Sequence, residues 1–293
     1  MTNRAPGRLY VVATPIGNLG DLSARACETL RTCALIAAED TRHTGVLLKH
    51  FGIETPQISL HDHNEQQRIP DVLARLRLGD CIALVSDAGT PAISDPGFEL
   101  VRAAAAAGVE VVAIPGPCAA IAALSIGALP TDRFCFEGFL PPRGAARRKR
   151  LESLAAEPRT LVLYESPHRV PDMLEDCAAA FGGERGAMLA REITKLHETA
   201  YRGSLAELAA RARTDADVAR GEIVLLIAGA PRLDDGEQGA DGHGGALDRV
   251  LKILLAELPL KQAARLGALI ADVRDNEAYK RALHLKQESS SHS

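Results

Sequence analysis

The chain reads as an α/β protein with a mostly parallel first sheet, and three observations carry that reading. Short apolar segments rich in Val, Ile and Leu alternate with longer Ala- and Leu-rich amphipathic ones through most of the chain. The apolar segments are of strand length and apolar throughout, as expected of strands buried on both faces by helices. Loops crowded with Gly, Pro, Ser, Thr and Asp follow them, as in "LVSDAGTPAISDPG" from Leu84 to Gly97.

The elements follow in order. "RLYVVA" opens as a strand at Arg8, and "LSARACETLRTC" follows as a helix that Asp21 or Ser23 can cap. "ALIAAED", "CIALVSD" and "VEVVAIPG" read as further strands, separated by the helical patterns "IPDVLARLRLGD" and "GFELVRAAAAAG", with Gly108 as a left-handed stop. The rhythm breaks at Pro130, Pro141 and Pro142, and a second set begins: "TLVLYES", "PHRVPDMLEDCAAAFG", "GAMLAREI", "ETAYRG", "SLAELAARA" and "EIVLLIAGA". These segments predict an N-terminal α/β domain over 8–131 and a second over 132–231. The aperiodic Gly- and Asp-rich stretch 232–245 reads as a flexible linker, and 246–286 as a helical appendix with the layout of a helix-turn-helix. The tail "QESSSHS" reads as disordered.

Composition narrows the function. With 46% hydrophobic and 25% charged residues the chain is of globular type, and its apolar runs fall short of the roughly 20 residues of a membrane span. No signal peptide is legible, so a cytoplasmic protein is expected. A net charge of −4 argues against bulk coating of nucleic acid, and 3% aromatic residues without Trp argue against base stacking on single strands. A local basic patch remains, "RGAARRKR" at Arg143 to Arg150, readable as a solvated helix face or as a phosphate contact. The six cysteines are scattered singly and read as small core residues, and no metal site is expected; His61 and His63 lack a third ligand nearby.

Three common nucleotide signatures are absent: G-x-G-x-x-G after a strand, the P-loop and H-E-x-x-H. In their place, small-residue loops recur after strand-like runs: "ATPIGNLGD", "AEDTRHT", "SDAGTPAISDPG" and "IPGPCAA". In open α/β sheets ligands bind beyond the carboxyl ends of the strands, so these loops predict one converging pocket.

Together with "YESPHR" and "AREITKLHE", these blocks occur in the order found in the tetrapyrrole methylase superfamily, which the chain resembles from Leu9 to Ala230. Within it the motifs look like those of the branch that methylates the ribose 2′-oxygen of a cytidine in the decoding centre of 16S rRNA, and the appendix resembles that branch's C-terminal domain. The resemblance implies a two-domain fold with a mixed second sheet, S-adenosylmethionine in the cleft between domains, and a homodimer. Its cofactor loops map to Pro15 and Gly17, to Asp87, Ala88, Gly89, Thr90, Pro91 and Ile93, and to Cys118 and Ala119. Tyr164 and the strand end Ala228, Gly229 and Ala230 should close over the adenosine. Thr90 stands where the wider superfamily has an acidic residue and Asp87 three positions before, so both are alternatives for meeting the cofactor.

Methyl transfer to a ribose hydroxyl is an in-line displacement, governed by orientation and helped by a group that draws off the hydroxyl proton. Glu165, Arg191, Glu192 and Lys195 are the expected catalytic set, orienting the ribose or its phosphate. Arg42, His43, Arg147, Arg148, His168 and Arg169 are the expected RNA contacts, with Asp40 or Thr41 as a helix cap and a structural ion pair at Arg191 and Glu192 as competing readings. The C-terminal helices are a second RNA grip or a packing appendix. The functional alternative is the same cofactor chemistry on a corrin or porphyrin precursor.

Overall fold

The computed structural model describes residues 7–231, 244–271 and 273–290. The first half runs β1 (Arg8–Val12), α1 (Ala24–Thr32), β2 (Leu35–Ala38), α2 (Thr41–His50), β3 (Gln57–Ser59), α3 (Glu65–Arg77), β4 (Ile82–Val85), α4 (Phe98–Ala106) and β5 (Glu110–Ile114), which realises the predicted rhythm and adds the short strand β3 to it. The strands pair in the order β3-β2-β4-β1-β5, every pair parallel. Alternate strand residues feed two cores: Val12, Ile36, Ala83 and Val85 face α1 and α2, whereas Leu9, Leu35, Ile82 and Leu84 face α3 and α4. Burial on both faces explains why these strands are apolar without alternation. Ser23 caps α1 by accepting the Ala26 N–H at 3.0 Å, and Gly108 takes φ +72° after α4, as the sequence predicts.

After α5 (Ala119–Ile126) the chain forms β6 (Phe134–Phe139), α6 (Gly144–Leu154), β7 (Thr160–Glu165), α7 (Val170–Phe181), β8 (Gly186–Arg191), β9 (Thr199–Ser204), α8 (Leu205–Thr214) and β10 (Ile223–Ile227). The order is β6-β7-β10-β8-β9, with β6 and β7 parallel and the other pairs antiparallel. The first sheet ends with β5 and the second begins with β6 at Phe134, and both lie in one compact unit up to Ala230. The reason lies in α5, whose Ala120, Ala123 and Leu124 share a core with Val162, Met188, Val224 and Leu226 of the second sheet and with Ile16 of the first half. Gly127 fits there because a Cβ would stand 2.5 Å from Leu226 Cδ1.

The C-terminal unit comprises α9 (Gly244–Glu257), α10 (Leu260–Ala271) and α11 (Asp275–Ser290). Leu247, Leu251, Ala264, Ala268, Ala278, Ala282 and Leu285 form its core. Gly267 lets α9 and α10 approach, since a Cβ would lie 2.6 Å from Leu251 Cδ2. Arg281 grips Asp248 through Nε and Nη2. Most of the predicted linker, residues 232–243, lies outside the described residues, while Gly244 and Gly245 already belong to α9. Part of the tail departs from expectation: α11 continues through Ser290 rather than ending before "QESSSHS", whose last residues, 291–293, lie outside the described residues.

Candidate active site

The first sheet creates a crevice through its connectivity. From β1 the chain crosses β4 toward β2 and β3, and from β4 it returns past β1 to β5, so the loops leaving neighbouring β1 and β4 turn to opposite faces of the sheet. Such a reversal is where open α/β sheets bind ligands. The two loops are pinned to each other: Thr14 N–H donates to Gly89 O at 2.8 Å and Gly89 N–H to Thr14 O at 3.1 Å. Thr90 Oγ1 donates to Pro117 O at 3.0 Å, tying in the β5 loop. Gly89 needs its φ of +84°, and a Cβ there would press Ile16 Cγ2 at 3.3 Å.

The second sheet closes the crevice into a cleft of about 340 Å³, lined on one side by Ile16, Ala88, Gly89, Thr90, Ile93, Ser94, Asp95, Cys118 and Ala119. The other side is Phe139, Tyr164, Glu165, Ser166, Pro167, Ile193, Gly221, Glu222, Ile223 and Val224. That volume is of small-molecule size. Apolar walls dominate, and among the lining residues the charged side chains are the three carboxylates Asp95, Glu165 and Glu222, with no Lys, Arg or His. Tyr164 accepts the Ala120 N–H at 3.0 Å and stacks edgewise on Phe136 and Phe139; burial holds its hydroxyl well above the usual phenol range.

The expected cofactor residues divide into three groups. Ala88, Gly89, Thr90, Ile93, Cys118, Ala119 and Tyr164 line the cleft. Pro15, Gly17, Asp87 and Pro91 stand behind it as frame: Asp87 Oδ1 accepts the Asp40 N–H at 3.1 Å, and Asp87 N–H donates to Glu39 Oε2 at 3.2 Å, lacing the β2 and β4 loops. Between the alternatives at Asp87 and Thr90, Thr90 is the one on the cleft wall. Ala228, Gly229 and Ala230 correct the expectation, because they lie at the far end of the second sheet. β10 is antiparallel to β7, so Ile223 pairs with Glu165 at the cleft while Ile227 pairs with Leu161 away from it. There Ala230 N–H donates to Glu157 O, and a Cβ on Gly229 would collide with Pro158 O at 2.0 Å.

The "REITK" segment forms a strained turn beside the cleft, with Glu192 at φ +53° and Thr194 at +70°. Such backbone in non-glycine residues persists where surroundings impose it, often at functional sites. Lys195 lies across Gly17, whose added Cβ would stand 2.3 Å from Lys195 Cγ, so the second sheet's turn rests on the β1 loop. Lys195 Nζ reaches Glu192 Oε1 at 2.9 Å and Glu222 Oε1 at 3.0 Å, and Glu192 Oε1 also accepts the Glu222 N–H. Burial works to lower the Lys195 ammonium, but bonds to the two glutamates outweigh it and hold it above the usual lysine range. Arg191 braces the turn, donating to Arg220 O and His197 O. The ion pair at this turn thus joins Glu192 to Lys195.

Glu165 is fully buried at its side chain, accepts the Ser166 N–H at 2.8 Å and pairs with Arg169 at 3.0 Å. Arg169 in turn donates to Leu140 O and Pro141 O, so it clasps the ends of β6 and β7 and does not face solvent as an RNA contact would. Arg147 is likewise corrected: it is 5% exposed, with Nε 2.7 Å from Asp176 Oδ2, and packs α6 against α7. Its neighbour Arg148 remains half-exposed on that helix. His168 is exposed beside the cleft-lining Pro167. Arg42 and His43 are exposed at the start of α2, whose N-cap is Asp40, and Arg42 pairs with the Asp40 carboxylate.

Sequence reasoning missed Asp95, Ser94, Phe139, Gly221 and Glu222. Asp95 and Ser94 sit inside the loop already singled out, and their signal was polar residues at its far end. Gly221 and Glu222 precede a strand, and only the antiparallel entry of β10 brings them to the cleft.

This frame, a crossover cleft in a parallel sheet roofed by a mixed one, is that of a known class. Residues 8–209 match the family described as Tetrapyrrole (Corrin/Porphyrin) Methylases, and the chain belongs to it. Residues 241–286 match the RsmI C-terminal HTH domain. Relatives named ribosomal RNA small subunit methyltransferase I are similar along nearly the whole chain. The Pseudomonas aeruginosa protein is 53% identical over 97% of this chain and 99% of its own, and that of Escherichia coli O157:H7 52% identical over 96% of each. Among solved structures, a cobalt precorrin-4 methyltransferase superposes with TM-score 0.57 at 17% identity, covering 75% of this chain and 94% of its own. Uroporphyrin-III-C-methyltransferase from Thermus thermophilus gives 0.53 at 20%, covering 76% and 94%. At such identities these two attest the fold.

Proposed function

We propose that the chain is an S-adenosylmethionine-dependent methyltransferase acting on the small-subunit ribosomal RNA, at the ribose 2′-hydroxyl of a cytidine in the 16S decoding centre. The observation that carries the cofactor is the make-up of the cleft: mostly apolar walls with no Lys, Arg or His among its lining residues. A nucleoside phosphate finds no cation among these residues, whereas a sulfonium with an ammonium group needs none. Gly89 and Ala88 leave room for close backbone approach, Tyr164 and Phe139 offer faces to a flat ring, and Thr194 Oγ1 is buried without a partner beside Gly17.

Bound in this way, the cofactor supplies an electrophilic methyl group. The protein's own part is to fix geometry: the Lys195, Glu192 and Glu222 cluster orients the acceptor ribose or its phosphate, while Arg191 and Glu165 hold the supporting turns in place. Arg42, His43, Arg148 and His168 are the side chains left exposed to meet RNA phosphates.

The substrate assignment draws on the full-length relatives and on the helical C-terminal unit, which the corrin and porphyrin reading does not use. The reading includes division into domains at 131 and 231, a cytoplasmic setting alongside ribosomes, and a homodimer to which exposed Ile121, Ile126 and Phe134 offer apolar surface. No described helix is long and apolar enough to cross a membrane. The test is incubation with methyl-labelled S-adenosylmethionine and either unmodified small subunits or tetrapyrrole precursors. Label in small subunits alone supports the reading, and label in a tetrapyrrole alone overturns it.

A further inference from the structure

We propose that Asp95 is the base that takes the proton from the acceptor hydroxyl, an inference that rests on the methyltransferase reading above. It follows from comparing the lining carboxylates. Glu165 is committed to Arg169 and the Ser166 N–H, and Glu222 is paired with Lys195. Asp95 alone among the three has no cation within ion-pair distance among the described residues.

The loop that carries Asp95 is built to hold it in place. Ala92 and Ser94 adopt φ +68° and +64°, and Ala92 N–H donates to Pro96 O to close a turn around it. Ser94 abuts Gly138 of β6, whose added Cβ would stand 2.9 Å from Ser94 Oγ, so the loop is anchored to the second sheet. Gly97 at φ +118° packs on Leu84 at the other end. Strained backbone before a cleft-facing carboxylate and a tightly packed glycine after it mark a preorganised group.

Its surroundings tune it as a base. Burial, then the charge of Glu39, raises the Asp95 carboxyl to about 6, with Asp87 and Asp62 adding to the rise and a hydrogen bond from Ser86 opposing it. Tyr164, across the cleft, is neutral at physiological pH. A carboxylate of this affinity is ionised at pH 7 yet more basic than an ordinary aspartate, which suits proton transfer. In the step, the acceptor O–H bond breaks with its proton moving to Asp95 Oδ. The oxygen's electron pair forms the bond to the methyl carbon, the carbon–sulfur pair stays on sulfur, and the proton then passes to water.

The test uses the full chain and small ribosomal subunits lacking the modification. Asp95→Asn should bind S-adenosylmethionine in calorimetry within about threefold of wild type and lose about 100-fold or more in kcat. Wild-type kcat/KM should fall as pH drops through about 6, and the residual Asp95→Asn activity should lack that limb. Near-normal kcat in Asp95→Asn, a tenfold loss of cofactor affinity with kcat retained, or a flat wild-type profile between pH 5 and 8 each overturns the inference. Wild type that transfers no methyl to RNA overturns the underlying reading instead, and the inference with it.

Discussion

Replacing Arg147 with Met should destabilise the protein without touching RNA binding, against what its place in a basic run suggests. The side chains of Arg147 and Asp176 are only 6% and 14% exposed, and Nε to Oδ2 is 2.7 Å. Removing one partner of a buried pair costs about 3–5 kcal/mol, chiefly because the other charge is left uncompensated. Arg148, 3.5 Å from Asp176 Oδ1 but 56% exposed, can partly compensate, which places the expected loss near 3 kcal/mol. For a unit of this size that is roughly 6–12 °C in melting temperature. The assay is thermal unfolding followed by circular dichroism, with Arg147→Met/Asp176→Leu as companion; the double variant should regain most of the loss. A shift below about 1 kcal/mol in the single variant, or a double variant worse than the single one, would refute the reasoning.

Other perturbations separate site from scaffold. Arg148→Glu should leave melting within about 1 °C while weakening RNA affinity and flattening its salt dependence; an unchanged salt slope in filter binding would assign Arg148 to a solvated face. Gly89→Val forces a β-branched residue into φ +84° against Ile16, so cofactor affinity should fall at least tenfold in calorimetry. Lys195→Ala should retain cofactor binding and lose about tenfold or more in kcat/KM for small subunits, read by label transfer; full activity would remove the cluster from the acceptor's path.

How far the sequence reveals this protein depends on what each signal encodes. Unbroken apolar runs announce parallel strands, fully buried at β2 and β4 and partly at β1 and the edge strand β5, so all four were legible, as were the loops at Ala88 to Thr90 and Cys118 that leave them. Direction in the second sheet was not. "EIVLLIAGA" reads the same whether β10 runs up or down, and its antiparallel course moves the cleft from Ala228 to Glu222. Side-chain facing on a helix was equally hidden: four consecutive basic residues in α6 include one, Arg147, turned inward to an acid that lies on α7. Asp95 was visible as a residue, but its lack of a cation partner is a property of three dimensions.

The central claim is that this cleft directs a methyl group to a ribose oxygen of small-subunit RNA. Its most direct test is reaction of unmodified small subunits with trideuteromethyl-S-adenosylmethionine, followed by nuclease digestion and mass spectrometry of each nucleoside. The account predicts one 16S cytidine with the added mass on its ribose fragment. Mass on a base, or none in RNA from subunits that demonstrably bind the protein, would contradict it.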